Sequence, residues 1–403
     1  MPATSKTVLV INLGWEQEPL VESVLRQGYS VVGIHHDQRF NSALKVDNVE
    51  IAAYRDLAGI LDIAKRLNPI AVVADECDYA YYAMATVANQ LGLPGPGMSA
   101  AQISTNKWLQ RKAAEQQGLL QPRYMLCANL DEARNAAREI GYPVVMKPID
   151  NRGSFGVNRV EGEQDLEAAY YDALINAHSR LVLVEEFIQG VHITIDGYCF
   201  PQAGHRSLGL ATKGMLGGKR QVAIDIIYPG ELPGAVCQAA LDNNDRVVAA
   251  MGYRYGMTHA EYMVDNSGQA YLIEIANRGG GVYTSAKIVP AVCGIDVTKQ
   301  LVLDSLGSAQ DLFLSRDEFA MGAAYLKFFV FKPGHIQAIN GLETAHSLAG
   351  VEALRLQVGA GDVVPDTTTD ANRHGFVITR GRTLDDVRSL AEKVEQTLKV
   401  SYA

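Results

Sequence analysis

The sequence is poor in cysteine, and none of it is spaced for pairing. Cys77, Cys127, Cys199, Cys237 and Cys293 are odd in number and scattered, with no C-x-x-C. That excludes a disulfide framework and a cysteine zinc site, and points to a reducing, cytoplasmic setting. No apolar run is long enough to span a bilayer, and the first residues, MPATSKTVLVINLG, read as a polar tail and a strand rather than a signal peptide. Excess positive charge is missing too. A net charge of −9 and a pI near 5.5 argue against a nucleic-acid or anionic-membrane surface. No G-x-G-x-x-G follows the first strand pattern, where Gly14-Trp15-Glu16-Gln17 stands instead, so NAD binding is not expected. Internal repeats and low-complexity stretches are absent.

What remains is 403 residues of ordinary globular composition, 48% hydrophobic and 20% charged, enough for two to four structural units. Strand patterns at 7–13, 30–35 and 69–74 alternate with helical ones. They imply a parallel, doubly wound sheet over 1–98. Asp75, Glu76 and Asp78 follow the third strand; they read as exposed strand-end acids or, less simply, as pocket lining. Gly92-Leu93-Pro94-Gly95-Pro96-Gly97 marks a linker. A polar helix over 99–118 carries Lys107 and Arg111 on one face, four residues apart. GYPVVMKP forms a short strand ending at Lys147, followed by the small-residue loop 151–157. A strand over 181–188 contains Glu185-Glu186, and the segment 212–220 is a basic loop. Strands return beyond 311, and the apolar spacing over 383–398 predicts a one-faced helix. The resulting units are 1–98, 99–310 with a lid over about 112–185, and a small α+β cap at 311–403.

His259 to Tyr283 reads as a hairpin turning at Asp265-Asn266-Ser267-Gly268. A loop of two or four residues sets Val264 opposite Gln269 and Glu261 opposite Leu272, with Glu274 one diagonal step away on the same face. A slip of one residue sends Glu274 to the other face. The even loop lets two carboxylates share one divalent cation; the plainer alternative is a hairpin with solvated glutamates. Arg278 and three glycines follow.

Lys107, Lys147 with its glycine loop, Glu185-Glu186-Phe187-Ile188 and the acidic hairpin are each weak signals. In this order and spacing the chain resembles the ATP-grasp superfamily, in the branch that holds biotin carboxylase, purine-pathway enzymes and amino-acid ligases. The resemblance runs over residues 1 to 400 and is strongest over 106–281, on NKWLQR, GYPVVMKP, RGSFGV, VEEFIQG and EIANRGGG. It implies an ATP-grasp fold with an N-terminal doubly wound domain, and ATP with one or two Mg²⁺ ions or Mn²⁺ in their place. Lys107 and Lys147 would then meet the triphosphate, and Ser154 with the loop amides would cover its β and γ phosphates. Glu185 would accept from the adenine amino group, with backbone contacts from Glu186 and Ile188. Glu261 and Glu274 would hold the metal, and Arg278 would act on the transferred phosphoryl group. His192 stands where many relatives carry a ribose-binding glutamate. Ala276 stands where many carry a metal-binding asparagine, which leaves Asn277, one place later, as the third candidate ligand.

The implied activity is a carboxylate–amine ligase that joins small molecules, most simply amino acids, through an acyl-phosphate. An alternative is a purine-pathway-like enzyme that activates bicarbonate or formate, with Lys213, Lys219 and Arg220 serving a phosphoribosyl amine. A nucleotide-binding regulator without catalysis is a third class. Partners are small molecules, with no nucleic acid or membrane, and a homodimer is expected from the resemblance alone.

Overall fold

A computed structural model describes residues 6–37, 46–216, 222–308, 310–312 and 322–403. The N-terminal sheet is parallel, in the order β3-β2-β1-β4, from β1 (Thr7–Ile11), β2 (Ser30–His35), β3 (Asn48–Ile51) and β4 (Ala71–Val73). Val8 to Ile11 and Val72 have no exposed surface, as strands covered on both faces require. Asp75 and Glu76 lie just past the carboxyl end of β4, where parallel sheets place their ligands. They are 7% and 6% exposed, so they are not the exposed strand-end acids expected from the sequence.

The polar helix expected over 99–118 is two helices, Met98–Ser104 and Lys107–Gln116. Asn106 breaks it: its backbone is extended, and its side chain accepts from Leu109 N to cap the second helix. Gln110 Nε2 donates to the carbonyls of Ile103 and Ser104 at the break.

A second sheet, antiparallel in the order β5-β8-β6-β7, comprises β5 (Tyr124–Cys127), β6 (Val144–Pro148), β7 (Asn158–Val160) and β8 (Val182–Glu186). Helices Leu130–Ile140 and Glu163–Asn176 bury alanine-rich stripes against it, with Ala133, Ala136, Ala137 and Ala173 fully covered. Small side chains let helix and sheet approach closely, so Lys147 and Glu185 sit on a rigid support.

The largest sheet has eight strands in the order β13-β12-β9-β10-β11-β14-β18-β16. It is built from β9 (Val191–Phe200), β10 (Gly204–Met215), β11 (Ala223–Tyr228), β12 (Gly256–Val264), β13 (Ala270–Ala276) and β14 (Ala323–Phe328). After β15 (Gly334–Asn340), β16 (Val351–Leu356) and β17 (Val363–Val364), β18 (Gly375–Gly381) returns to it. β14, β16 and β18 belong to the segment expected as an α+β cap packed on the main body, and they join it to the central sheet, where β11 pairs directly with β14. β15, β17 and β19 (Lys399–Tyr402) form a small outer sheet. The last helix, Leu384–Thr397, starts at a Thr383/Asp386 capping box and buries Val387, Ala391 and Val394, as its spacing foretells. Among the described residues no helix is long and apolar enough to cross a membrane.

Candidate active site

A cavity of about 570 Å³ lies between the β5–β8 sheet and the central sheet. Its walls include Lys107, Lys147, Ser154, Glu185, Glu186, Ile188, His192, Glu261 and Glu274. Nine of the eleven residues expected at a site therefore meet in one space; Asn277 and Arg278 are not on its wall.

The acidic hairpin reaches this arrangement by a different register from the one expected. Val264 pairs with Ala270, so the loop runs from Asp265 to Gln269 and is odd. Continued without a break, that register would send Glu274 to the far face. A β-bulge corrects it. Tyr262 pairs with Leu272 but Glu261 pairs with Glu274, which leaves Ile273 as the extra residue. The two glutamates are thus directly opposed. The Ile273 carbonyl accepts from Arg111 Nη2 at 2.7 Å, and Ile275 N donates to Gln110 Oε1.

Each glutamate is matched by a lysine from another element. Lys107 Nζ is 2.7 Å from Glu274 Oε1 and Lys213 Nζ is 2.5 Å from Glu261 Oε1. His192 Nε2 lies 2.9 Å from Glu261 Oε2, and His259 Nε2 is 3.6 Å from Oε1. Burial disfavours the Glu261 charge, but Lys213 and the two histidines outweigh it and hold the carboxyl well below its usual range. Burial, with Lys213 nearby, lowers the pKa of His192 despite Glu261. A neutral imidazole donating Nε2–H fits that contact. His259 Nδ1 meets Asp196 Oδ1 at 2.8 Å; burial opposes its proton, yet Asp196 and Glu261 push its pKa up to about 9. Neither His259 nor Asp196 had a signal beyond its place in a strand. Lys213, read as part of a basic loop, is in β10; Lys219 and Arg220 lie outside the described residues.

At the cavity floor Glu185 is 2% exposed and bridges two cations. Arg111 donates through Nε at 2.6 Å and Nη2 at 3.2 Å, and Lys147 Nζ lies 2.6 Å away. Burial works against the charges of both Glu185 and Lys147. The two cations nevertheless keep Glu185 ionised, whereas the Lys147 pKa falls. Two cations against one anion leave a buried positive excess, an environment suited to phosphate. Arg111 was not among the expected site residues. Its signals were the spacing from Lys107, which puts both on one helix face, and its place as the arginine of NKWLQR. Glu186 N donates to Arg123 O within the sheet, so that amide is already engaged.

The segment after the hairpin is held by the acids that follow β4. Gly279 N donates to Asp75 Oδ1 at 2.7 Å and Tyr283 N donates to Glu76 Oε2 at 3.0 Å. Burial raises the pKa of both carboxyls, and the charge of Asp75 raises Glu76 further. A Cβ on Gly279 would fall 1.8 Å from Ser285 Oγ, so only glycine fits. Arg278, expected to act on the phosphoryl group, forms a two-point ion pair with Asp78 and donates Nη1 to Gly279 O. Asn277, expected as the third ligand, is turned away from the cavity. Its Oδ1 accepts from Tyr81 at 2.6 Å and its Nδ2 donates to the carbonyls of Tyr255 and Met257. Strand alternation explains this, because Asn277 falls on the face opposite Glu274. Among the described residues no three His, Cys, Asp or Glu side chains converge as a ready metal cluster.

Residues 140–286 match the model of the ATP-grasp domain, and residues 327–403 match that of L-amino acid ligase C-terminal domain 2. The L-amino acid ligase of Bacillus licheniformis has the same fold, with a TM-score of 0.83 at 21% identity over 99% of both chains. The D-alanine–D-alanine ligase of Pseudomonas putida is 29% identical over 54% of this chain and 69% of its own length. An uncharacterized protein of Sinorhizobium fredii is 22% identical over 98% of this chain and 83% of its own.

Proposed function

Because this chain carries an ATP-grasp domain followed by the C-terminal domain of L-amino acid ligases, we propose that it is an ATP- and Mg²⁺-dependent carboxylate–amine ligase that joins amino acids through an acyl-phosphate. ADP and phosphate are the other products. The observation that carries the reading is the opposition of Glu261 and Glu274, each held by a lysine from a different strand or helix.

Two carboxylates are too few for a protein-only magnesium site, and fit one completed by substrate phosphates. Glu261 and Glu274 would hold one or two Mg²⁺ ions, or Mn²⁺ in their place, supplying charge neutralisation at the phosphates. Lys107 and Lys213 balance these acids in the absence of nucleotide. Glu261 and Glu274 would take the cations of a bound metal–nucleotide complex, and Lys107 and Lys213, released from them, would meet its phosphate oxygens. Lys147 adds a buried charge at the phosphate end, while Glu186, Ile188 and His192 line the end suited to base and ribose. Arg278 keeps donors beyond those it gives to Asp78 and Gly279. Charge that builds on the phosphoryl group and acyl-phosphate is stabilised from that side. The carboxylate attacks the γ-phosphorus and ADP departs; the amine then attacks the acyl carbon and phosphate departs.

The test is incubation of the full chain with ATP, Mg²⁺ and pools of amino acids. Amino-acid-dependent ADP and phosphate release with a new amide supports the reading. ADP formation that requires bicarbonate contradicts it. A homodimer in a cytoplasmic setting belongs to the same proposal, and sedimentation tests the dimer.

A further inference from the structure

The glycine loop after Lys147 touches the C-terminal segment through one side-chain hydrogen bond. Ser154 Oγ donates to Asp370 Oδ2 at 3.1 Å, across 216 positions of sequence. Gly153, Ser154 and Gly156 all have left-handed φ, of 65°, 60° and 71°. A serine keeps that conformation only where its surroundings hold it.

Asp370 is fixed from behind. Its Oδ1 accepts from Ala223 N at 3.1 Å and lies 3.3 Å from Arg373 Nη1. The same Nη1 donates to Ala223 O at 2.8 Å, and the Arg373 guanidinium sits 3.4 Å from the centre of the Phe328 ring. Both backbone groups of the first residue of β11 are therefore clamped by the turn Asp370–Asn372 and its neighbour. Asp370 also lines the cavity. A carboxylate repels phosphate, so its position beside a loop suited to cover phosphates needs a different reason. A Ser154 hydroxyl that donates to Asp370 cannot donate to a phosphate oxygen as well.

We propose that Asp370 is a positioning residue that docks the glycine loop on the C-terminal segment through Ser154. The serine hydroxyl anchors the loop from the side, and the loop's backbone amides are left to face the anion, as in other anion nests. The nucleotide part rests on the ligase reading above; the docking contact does not. It also gives the C-terminal segment a direct hold on closure over the nucleotide, through a residue outside the ATP-grasp match at 140–286.

Hydrogen exchange of the amides of 151–157, in the full chain without nucleotide, reads the contact. Asp370→Ala and Ser154→Ala are each expected to speed that exchange about tenfold, with the double variant no faster than either. Asp370→Asn is expected to stay near wild type: its Oδ1 keeps Ala223 N and its Nδ2 donates to Ser154 Oγ, which as a hydroxyl can accept. In turnover, Asp370→Ala raises the KM for ATP several-fold and changes kcat less, and Asp370→Asn restores it. Unchanged loop exchange in Asp370→Ala overturns the proposal. So does an Asp370→Asn variant as fast as Asp370→Ala, because the charge and not the contact then matters. Since exchange is read without nucleotide, an expected exchange pattern in a chain that never forms ADP counts against the ligase reading alone.

Discussion

The guanidinium of Arg278 meets both carboxylate oxygens of Asp78, through Nε and Nη2, each at 2.9 Å. The pair joins the end of the acidic hairpin to the first residue of helix Asp78–Leu91 in the N-terminal domain. Burial works against the Asp78 charge, but Arg278 outweighs it and holds the carboxyl below its usual range. Asp78→Ala leaves a largely buried arginine without its counter-ion. It is expected to destabilise the fold by about 3 kcal/mol in urea unfolding and to lower kcat, because Arg278 loses its aim. A loss below about 0.5 kcal/mol, as for an exposed pair, would falsify the buried-pair reading.

Arg111 ties together three parts of the site: helix Lys107–Gln116, Glu185 on β8 and the Ile273 carbonyl at the bulge. Arg111→Ala is expected to cost about 3–5 kcal/mol, since Glu185 stays buried with one cation and the bulge carbonyl loses its donor. Arg111→Lys recovers little of this, because an ammonium cannot span both partners in one plane. Thermal unfolding of both variants beside wild type decides it; equal stability of Lys and Arg at this position contradicts the two-partner role.

The doubly wound start, the final capped helix and the gathering of nine site residues in one cavity could all be read from local pattern and motif order. The register of the hairpin could not. Alternation fixes faces only when the loop length is known, and Ile273 carries no sign that it is the extra residue of a bulge. The expected diagonal meeting of Glu261 and Glu274 is a direct opposition, reached through an odd loop and a compensating bulge. The fates of Asn277 and Asp75 were hidden for a related reason. Their partners, Tyr81 and Gly279, are 196 and 204 positions away. No local spacing encodes such pairings. Arg111 was half visible, as a cation beside Lys107 on a helix face.

Asp304 carries a pH signature of the fold. Burial pushes its carboxyl up to about 6, against hydrogen bonds from Tyr198 and Gln300. A carboxyl raised on folding contributes its full stability below the unfolded value near 4, and that contribution is lost as pH rises through about 6. Asp304→Asn cannot ionise, so its stability relative to wild type is expected to rise by at most about 3 kcal/mol between pH 4 and pH 7. Denaturant unfolding at the two pH values checks this; a constant difference between the proteins rules it out.

Deleting Ile273 tests the bulge. The shortened strand then pairs in one unbroken register, Glu274 follows Leu272 and stays directly opposite Glu261, and nucleotide affinity in the presence of Mg²⁺ is expected to stay within a few-fold of wild type while circular dichroism is unchanged. A loss of about tenfold or more in a folded variant counts against the opposed glutamates as the feature that the bulge serves.

The most direct measurement is ADP release by the full chain with ATP, Mg²⁺ and amino acids, run beside Glu274→Gln. The expected result is amino-acid-dependent release with a new amide in the wild type, reduced on the order of a hundredfold or more in the variant. Equal inertness of the two proteins with ATP still bound would contradict it, as would ADP release that depends on bicarbonate.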